Sequence, residues 1–248
     1  MITIPITSER TLREIVSENF ASASVLEKYG LDFCCNGGAT LTEACSRKGL
    51  DVATIASELA TVEADEASPR HIQWELPFLI DYIVNNHHAY VRAQIPLIGL
   101  HLSKVERAHG ERHPEVYEAA EIFRSESEAF EDHMAKEEQI LFPFMKVLYR
   151  AHRDGGQLQS PSFGSVAGPI GMMLDEHEQT GDAMARIRGL LADYTPPADA
   201  CTTMRLLYKE LDAFERDLHK HVFLENAILF PKAIRLEEEA AQAPRMQS

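Results

Sequence analysis

One eleven-residue pattern occurs twice in this chain, and it restricts the fold more than any other feature of the sequence. The copies run from His133 to Pro143 and from His221 to Pro231, and both read His-x3-Glu-x2-Ile-Leu-Phe-Pro. They are 88 residues apart at both ends (133 to 221 and 143 to 231). His177 follows His88 at nearly the same interval, 89 residues. We interpret the chain as one helical hairpin used twice.

Apolar residues recur at helical spacing in four long blocks, at about residues 75–108, 114–150, 166–193 and 199–240. Short polar breaks separate the blocks, and no segment alternates with period two for long enough to predict a strand. Amphipathic helices joined by short loops pack as an antiparallel bundle. Before the blocks, Thr11-Leu-Arg-Glu14 and Thr40-Leu-Thr-Glu43 are capping-box patterns that begin short helices. The sequence therefore predicts an all-α fold.

We predict four parts along the chain. A small helical domain at 1–62 carries Cys34 and Cys35 in a turn-rich segment, and a polar linker with a proline follows at 63–73. The antiparallel four-helix bundle occupies 74–240, and 241–248 form a tail.

The repeated motif places chemistry in the core of the bundle. Residues four apart lie on one face of a helix, so His133 and Glu137 can address one point, as can His221 and Glu225. Both pairs lie in the apolar stripe of their helix, where a carboxylate without a partner costs several kcal/mol. A single His-x3-Glu pair is commonly an ordinary contact within a helix. Two such pairs in one core, together with one histidine from each of the two remaining helices, predict a dinuclear metal site. The two Glu would bridge the metals.

Ligand chemistry narrows the metal to iron, manganese or zinc, because the set contains imidazole and carboxylate but no thiolate. Six protein ligands shared by two metals leave coordination positions open, which favours chemistry over a purely structural site. The first helix leaves a choice unresolved, since His87 and His88 both fall near its apolar face. The other six histidines lie in predicted loops or have no partner at ligand spacing, and we interpret them as ordinary polar residues.

Charge and cysteine content exclude several classes of protein. The chain has 24 Lys and Arg against 39 Asp and Glu, a formal charge of −15, so neither nucleic acid nor an anionic membrane is expected as a partner. No apolar run is as long as a membrane-spanning helix, and the start does not look like a signal peptide. Four cysteines are too few for a disulfide framework in a chain of this length. We expect a cytoplasmic protein.

The hairpin repeat resembles hemerythrin-like domains. Together with the segment Asp32-Phe-Cys-Cys-Asn-Gly-Gly38, the chain is similar to the di-iron proteins that repair iron–sulfur clusters, the RIC family linked to nitric-oxide and oxidative stress. The resemblance covers nearly all of residues 10–236. It implies a stress-response protein with two iron ions held by six side chains, namely His88, His133, Glu137, His177, His221 and Glu225. The choice of His88 rests on the family's His-x7-Pro pattern, which ends here at Pro96; His87 is left as a neighbouring group or an exchange ligand.

The resemblance also implies iron–sulfur proteins as clients, with this chain supplying iron rather than turning over a substrate. Nitric oxide and dioxygen are candidate small ligands, and a homodimer is a further candidate assembly. The alternatives are a nitric-oxide sensor or scavenger and a di-iron nitric-oxide reductase. The absence of a fifth histidine at a matching site argues against oxygen transport.

Cys34 and Cys35 have two interpretations. One is a buried pair in a small domain; the other, raised by the resemblance, is a role in redox chemistry or iron transfer from a turn where thiols can be exposed. Cys45 and Cys201 are expected in the core. Glu138 and Glu176 flank predicted ligands and are either proton shuttles or solvated helix positions.

Overall fold

The structure is a computed structural model in which residues 8–63, 71–155 and 163–242 are described. Helices make up most of these residues, and the described part contains no strand, only an isolated bridge between Thr11 and Thr40. The predicted all-α class is confirmed. The α-helices are α1 (Leu12–Glu18), α2 (Ala23–Lys28), α3 (Leu41–Lys48), α4 (Val52–Ala60), α5 (Leu76–Tyr82), α6 (Ala89–His109), α7 (Glu115–Lys136), α8 (Phe142–Asp154), α9 (Ala167–Leu190), α10 (Thr202–Phe223) and α11 (Phe230–Gln242).

Two compact units are present among the described residues. The first lies within Met1–Trp74 and includes Val222–Ile228, and the second lies within Glu75–His221 and Leu229–Ser248. Most of the predicted linker, at 64–70, and most of the predicted tail, at 243–248, lie outside the described residues. The remainder of the linker ends in a short 3-10 helix, His71–Gln73.

Local signals start and stop the short helices of the first unit. Thr11 and Glu14 form the predicted capping box of α1, with Thr11 Oγ1 accepting from the Glu14 amide at 3.2 Å and Glu14 Oε2 accepting from the Thr11 amide at 2.9 Å. Thr40 and Glu43 repeat the arrangement at α3. Gly49 ends α3 with a φ of 65°, a left-handed conformation that glycine adopts without a steric penalty.

The second unit consists of long helical rods whose apolar stripes face one another. Among them, α5 continues through a π-helical turn into α6, and α7 continues through another into α8. The α6 helix packs on α7 while α5 packs on α8, so these two rods run antiparallel. The α9 helix packs on α7, and α11 packs on α8. Buried side chains such as Ile98, Phe123, Met184 and Phe214 form the core. No helix in the described part of the chain has the length and apolarity to cross a bilayer.

Candidate metal centre

The six side chains predicted as metal ligands are buried and lie together in the structure. Their exposed fractions run from 0% for His88, Glu137 and Glu225 to 7% for His133. They form two groups in which one ligand atom from each residue lies within 4.8 Å of every other. The first group is His88, Glu137, His221 and Glu225, and the second is His133, Glu137, His177 and Glu225. Each group has its own pair of histidines, while both share the same two carboxylates.

The imidazoles approach each other through their Nε2 atoms. His88 Nε2 lies 3.1 Å from His221 Nε2, and His133 Nε2 lies 3.1 Å from His177 Nε2. The Glu137 carboxylate lies between the two pairs, with its Oε2 atom 3.4 Å from His88 Nε2 and 3.5 Å from His133 Nε2. The arrangement therefore presents two clusters of nitrogen donors on either side of a shared oxygen donor.

Carboxylates outside the six-residue set hold the outer nitrogen of two imidazoles. His88 Nδ1 lies 2.6 Å from Glu138 Oε1, and Arg92 donates to the same oxygen at 2.8 Å. Burial alone would raise the pKa of Glu138, but its hydrogen bonds with Arg92 and His88 hold the pKa below the usual range. An ionised Glu138 accepts the Nδ1–H of His88, and the Nε2 lone pair is then available to a metal.

Glu176 does the same for His133. Its Oε2 atom lies 2.8 Å from His133 Nδ1, and Lys136 lies 2.5 Å from the other carboxylate oxygen. Burial opposes ionisation, but the hydrogen bonds from Lys136 and His133 lower the pKa of Glu176. Glu138 and Glu176 thus contact a candidate ligand while they stay partly exposed, at 26% and 31%, and the proton-shuttle role considered for them stays a prediction.

Three π-helical turns position the ligands, and helical spacing alone does not predict them. The turns are Ile83–His88, Glu137–Leu141 and Leu224–Leu229, so His88, Glu137 and Glu225 all lie in or at the start of one. Such turns are rare and occur frequently at functional sites. Each winds one additional residue into the helix and changes the face on which later side chains lie.

The repeated motif contains a physical reason for two of these turns. Pro143 has no N–H to donate to the carbonyl of Gln139, and its ring crowds that carbonyl, which opens the regular α-helical pattern just before it. Pro231 stands in the same relation to Ala227. In the first turn, side-chain amides help instead, because Asn85 and Asn86 donate to the carbonyls of Asp81 and Tyr82 at 2.7 and 2.8 Å. The proline of the motif is thus a partial signal for these two turns, since Pro96 lies inside the regular helix α6 without one.

The donor set fits a metal centre. Glu137 and Glu225 are fully buried, and a buried carboxylate is stabilised by a cation or a complete set of hydrogen bonds. Four imidazole nitrogens and two carboxylates, without a thiolate, match the ligand preference of iron, manganese and zinc. The carboxylate–histidine contacts at His88 and His133 are those that commonly orient metal-ligating histidines.

His87 lies beside the six residues and outside both groups. It is 2% exposed, and its Nδ1 atom lies 3.0 Å from Asp217 Oδ1. Its ring stacks on the ring of His221, with centroids 5.7 Å apart and planes at 10°. The structure thus brings His88 into the donor set and places His87 against one of the donors.

The cysteine turn is organised by Asp32. Its Oδ1 atom accepts from the amides of Cys34 and Cys35 at 3.0 and 2.9 Å and from the Cys34 thiol at 3.2 Å. The two sulfur atoms are 3.8 Å apart. The hydrogen bond to Cys35, burial and the charge of Asp32 all raise the pKa of Cys34 well above its usual range. Cys34 is therefore a buried thiol rather than an exposed thiolate, while Cys35 is half-buried.

The other two cysteines differ in exposure. Cys45 is buried as expected, but Cys201 is exposed because it precedes the first turn of α10, so its predicted place in the core is wrong.

Within the first unit, Asn226 donates its side-chain amide to the carbonyl of Cys34 at 3.1 Å. Asn226 follows Glu225 directly, so the cysteine turn contacts the helix residue next to a candidate ligand.

Comparison with known proteins finds two family models. The model described as a domain of unknown function (DUF542) matches residues 8–63, and that of the hemerythrin HHE cation binding domain matches residues 79–233. Similar proteins include the iron-sulfur cluster repair protein ScdA of Staphylococcus haemolyticus (strain JCSC1435), 33% identical over 92% of this chain and 99% of its own length. The iron-sulfur cluster repair proteins YtfE of Enterobacter sp. (strain 638) and Escherichia coli O157:H7 are 35% and 34% identical, each over 91% of this chain and 97% of their own length.

Proposed function

We propose that this chain, which belongs to the family of iron–sulfur cluster repair proteins with a hemerythrin HHE cation binding domain, holds two iron ions and helps to restore damaged iron–sulfur clusters. The proposal extends to this chain what the names of its relatives say of them. Its clients would be iron–sulfur proteins whose clusters have lost iron or reacted with oxidants.

The sharing of Glu137 and Glu225 by both histidine pairs is the observation that carries the proposal. A carboxylate with one oxygen for each of two ions bridges them, so this geometry supports a pair of metals rather than one. His88 and His221 would hold one iron, and His133 and His177 the other. Imidazole and carboxylate ligands suit iron, and the family model is that of a cation binding domain.

The protein's own groups prepare this site in three ways. Glu138 and Glu176 accept the Nδ1 protons of His88 and His133, which directs the Nε2 atoms inward. Burial excludes bulk water from the two bridging carboxylates. When bound, the two irons supply open coordination positions and two accessible oxidation states.

Iron is also the cargo in this proposal. Ligands must be deprotonated to bind, so the affinity of a site built on imidazole and carboxylate depends on protonation, and it lacks the thiolate ligands that retain iron in clusters. An iron–sulfur client whose cysteines compete for the metal would therefore draw iron from this site. We propose Cys34 and Cys35 as intermediate ligands or reductants in that transfer, although the buried Cys34 must first become accessible.

Reactivation of a damaged enzyme tests the function. A [4Fe–4S] hydratase inactivated with nitric oxide is mixed anaerobically with the reduced, iron-loaded protein, and its activity is followed. We expect recovery that exceeds the recovery with the same concentration of free ferrous iron and thiol. Glu137→Leu, which removes a bridging ligand, should abolish the recovery, and Cys34→Ser with Cys35→Ser should slow it.

Two outcomes would contradict repair by iron supply. One is equal recovery with free ferrous iron, and the other is full activity of Glu137→Leu. Either result would favour nitric-oxide binding or reduction as the function of the site. The comparisons do not favour those alternatives, because the relatives named above are all named for cluster repair.

A further inference from the structure

A second group of metal-ligand side chains lies far from the six-residue site. His109 ends α6, His113 belongs to the turn that follows, and Asp199 lies in the connection between α9 and α10. One ligand atom from each lies within 4.8 Å of the other two. His109 follows His88 by a full length of α6, about 30 Å at 1.5 Å per residue, so the two sites are separate.

The surroundings of His113 resemble those of a metal-ligating histidine. Its Nδ1 atom lies 3.2 Å from Glu115 Oε1 and its Nε2 atom lies 3.0 Å from Asp199 Oδ1. If Glu115 accepts the Nδ1 proton of a neutral ring, the Nε2 lone pair faces a carboxylate oxygen. Two acceptors in contact repel each other unless a proton or a metal ion lies between them.

His109 adds a second imidazole on the same side. It is 6% exposed, and its ring centroid lies 6.2 Å from that of His113. Because one nitrogen of each ring lies within 4.8 Å of the other and of an Asp199 oxygen, both rings can address one ion although His113 lies beyond the end of α6.

Arg112 competes for the same groups. Its guanidinium lies 3.1 Å from Asp199 Oδ2 and 3.3 Å from His109 Nδ1. The side chain of Arg112 is 60% exposed, so it can turn into solvent without leaving a buried charge. A metal ion at this position would replace the positive charge that Arg112 now supplies to Asp199.

We propose that His109, His113 and Asp199 form a divalent-cation site, with zinc as the fitting ion and water as the fourth ligand. Two imidazoles and one carboxylate with an open position are a common zinc donor set. Glu115 would orient His113 from outside the set, in the way that Glu138 orients His88. The ion would connect the α6–α7 turn to the α9–α10 connection, which are joined within the described residues by the contacts of Asp199.

Zinc binding to the full, iron-loaded chain tests the site. The protein is equilibrated with one equivalent of zinc per chain at pH 8, above the ordinary histidine pKa of about 6.5, and zinc and iron are both counted after desalting. We expect about one zinc per chain more in the wild type than in His113→Gln or Asp199→Asn, at unchanged iron content. Asp199 is 45% exposed, so Asp199→Asn carries little risk to folding.

The variant Arg112→Ala distinguishes a metal site from an ordinary hydrogen-bond network. Removal of the competing cation should tighten zinc binding several-fold, and Glu115→Gln should weaken it about tenfold, as loss of an orienting partner does elsewhere. His152→Gln is the matched control, because His152 is an exposed histidine at the end of α8 and should leave zinc binding unchanged. Equal zinc content in the wild type and His113→Gln, or weaker binding by Arg112→Ala, would overturn the proposal.

Discussion

His88 and Glu138 come from different rods of the bundle, and their contact, 2.6 Å from Nδ1 to Oε1, determines which imidazole nitrogen faces the site. His133 and Glu176 have the same relationship at 2.8 Å. The orientation of the donors thus depends on charges that lie outside the donor set.

Neutralising Glu138 or Glu176 should weaken iron binding. Glu138→Gln and Glu176→Gln each keep an oxygen near the histidine but remove its charge, so we expect iron affinity to fall about tenfold to a hundredfold. Competition with a ferrous chelator measures the change. Glu178→Gln, an exposed neighbour of His177, is the control and should match the wild type. Unchanged chelator competition in both test variants would show that these contacts do not tune the site.

Loss of one histidine should affect both irons. Glu137 and Glu225 each belong to both donor groups, so His133→Ala and His221→Ala should alter the coordination of the distant ion as well as the near one. Elemental analysis after anaerobic iron reconstitution should give two irons per wild-type chain. Mössbauer spectroscopy then compares the variants. A spectrum in which one iron is lost and the other is unchanged would refute shared carboxylates, and at most one metal in the wild type would refute the dinuclear site.

His88 and His87 should differ in their effect on iron. His88→Gln removes a nitrogen of the first donor group and should lower iron content, whereas His87→Gln should retain both irons because His87 contacts Asp217 and stacks on His221 from outside the groups. Because the His87 ring stacks on the His221 ring, we expect His87→Gln to shift the Mössbauer spectrum of the iron-loaded protein. Loss of iron from His87→Gln, with His88→Gln fully loaded, would reverse the assignment.

The cysteines should alkylate in an order set by exposure and charge. At pH 7.5, Cys201 should react first with iodoacetamide because it is exposed, and Cys34 should react far more slowly because it is buried and its raised pKa keeps it protonated. Since the thiolate is the reactive form, Cys34 should remain slow until the pH rises well above the usual range of a cysteine. Peptide mass spectrometry across pH follows each site, and early labelling of Cys34 would contradict the buried, protonated thiol.

The contact between Asn226 and the Cys34 carbonyl should stabilise the first unit. Asn226→Ala removes a buried donor from a buried acceptor, which costs about 1–3 kcal/mol. Urea unfolding monitored by circular dichroism measures the loss. Asn85→Ala is a suitable control, since Asn85 makes the same kind of bond to a carbonyl at an exposed position and should cost less. An equal loss of unfolding free energy in the two variants would mean that the buried hydrogen bond stabilises the protein no more than the exposed one.

Sequence pattern predicted the parts of this protein that depend on local spacing. The repeat identified His133, Glu137, His221 and Glu225 as partners, because residues four apart share a helix face whatever the rest of the fold does. The capping boxes at Thr11 and Thr40 are local in the same way. Helical periodicity does not distinguish His88 from His87, because both lie near the apolar face and the π turn Ile83–His88 interrupts the regular spacing there.

Features that depend on tertiary contact were not available from the sequence. Glu138 reaches His88 across 50 residues, and Glu176 reaches His133 across 43. Helical periodicity does not relate residues so far apart in the sequence. The contacts by which Glu138 and Glu176 orient the two histidines therefore cannot be predicted from it. The buried state of Cys34 and the exposed state of Cys201 likewise follow from packing rather than from neighbours in the chain.

The π turn at Glu137–Leu141 gives the rod formed by α7 and α8 a place at which its length can change. The turn contains one residue more than a regular helical turn, so deleting one residue from it would restore the α-helical pattern and leave α8 on its present face. Met145 and Leu148, now fully buried, would stay in the core, whereas one residue deleted from the regular part of α7 would rotate them by about 100°. Natural variants of this rod should therefore differ in length at the π turn and conserve residue number on either side of it.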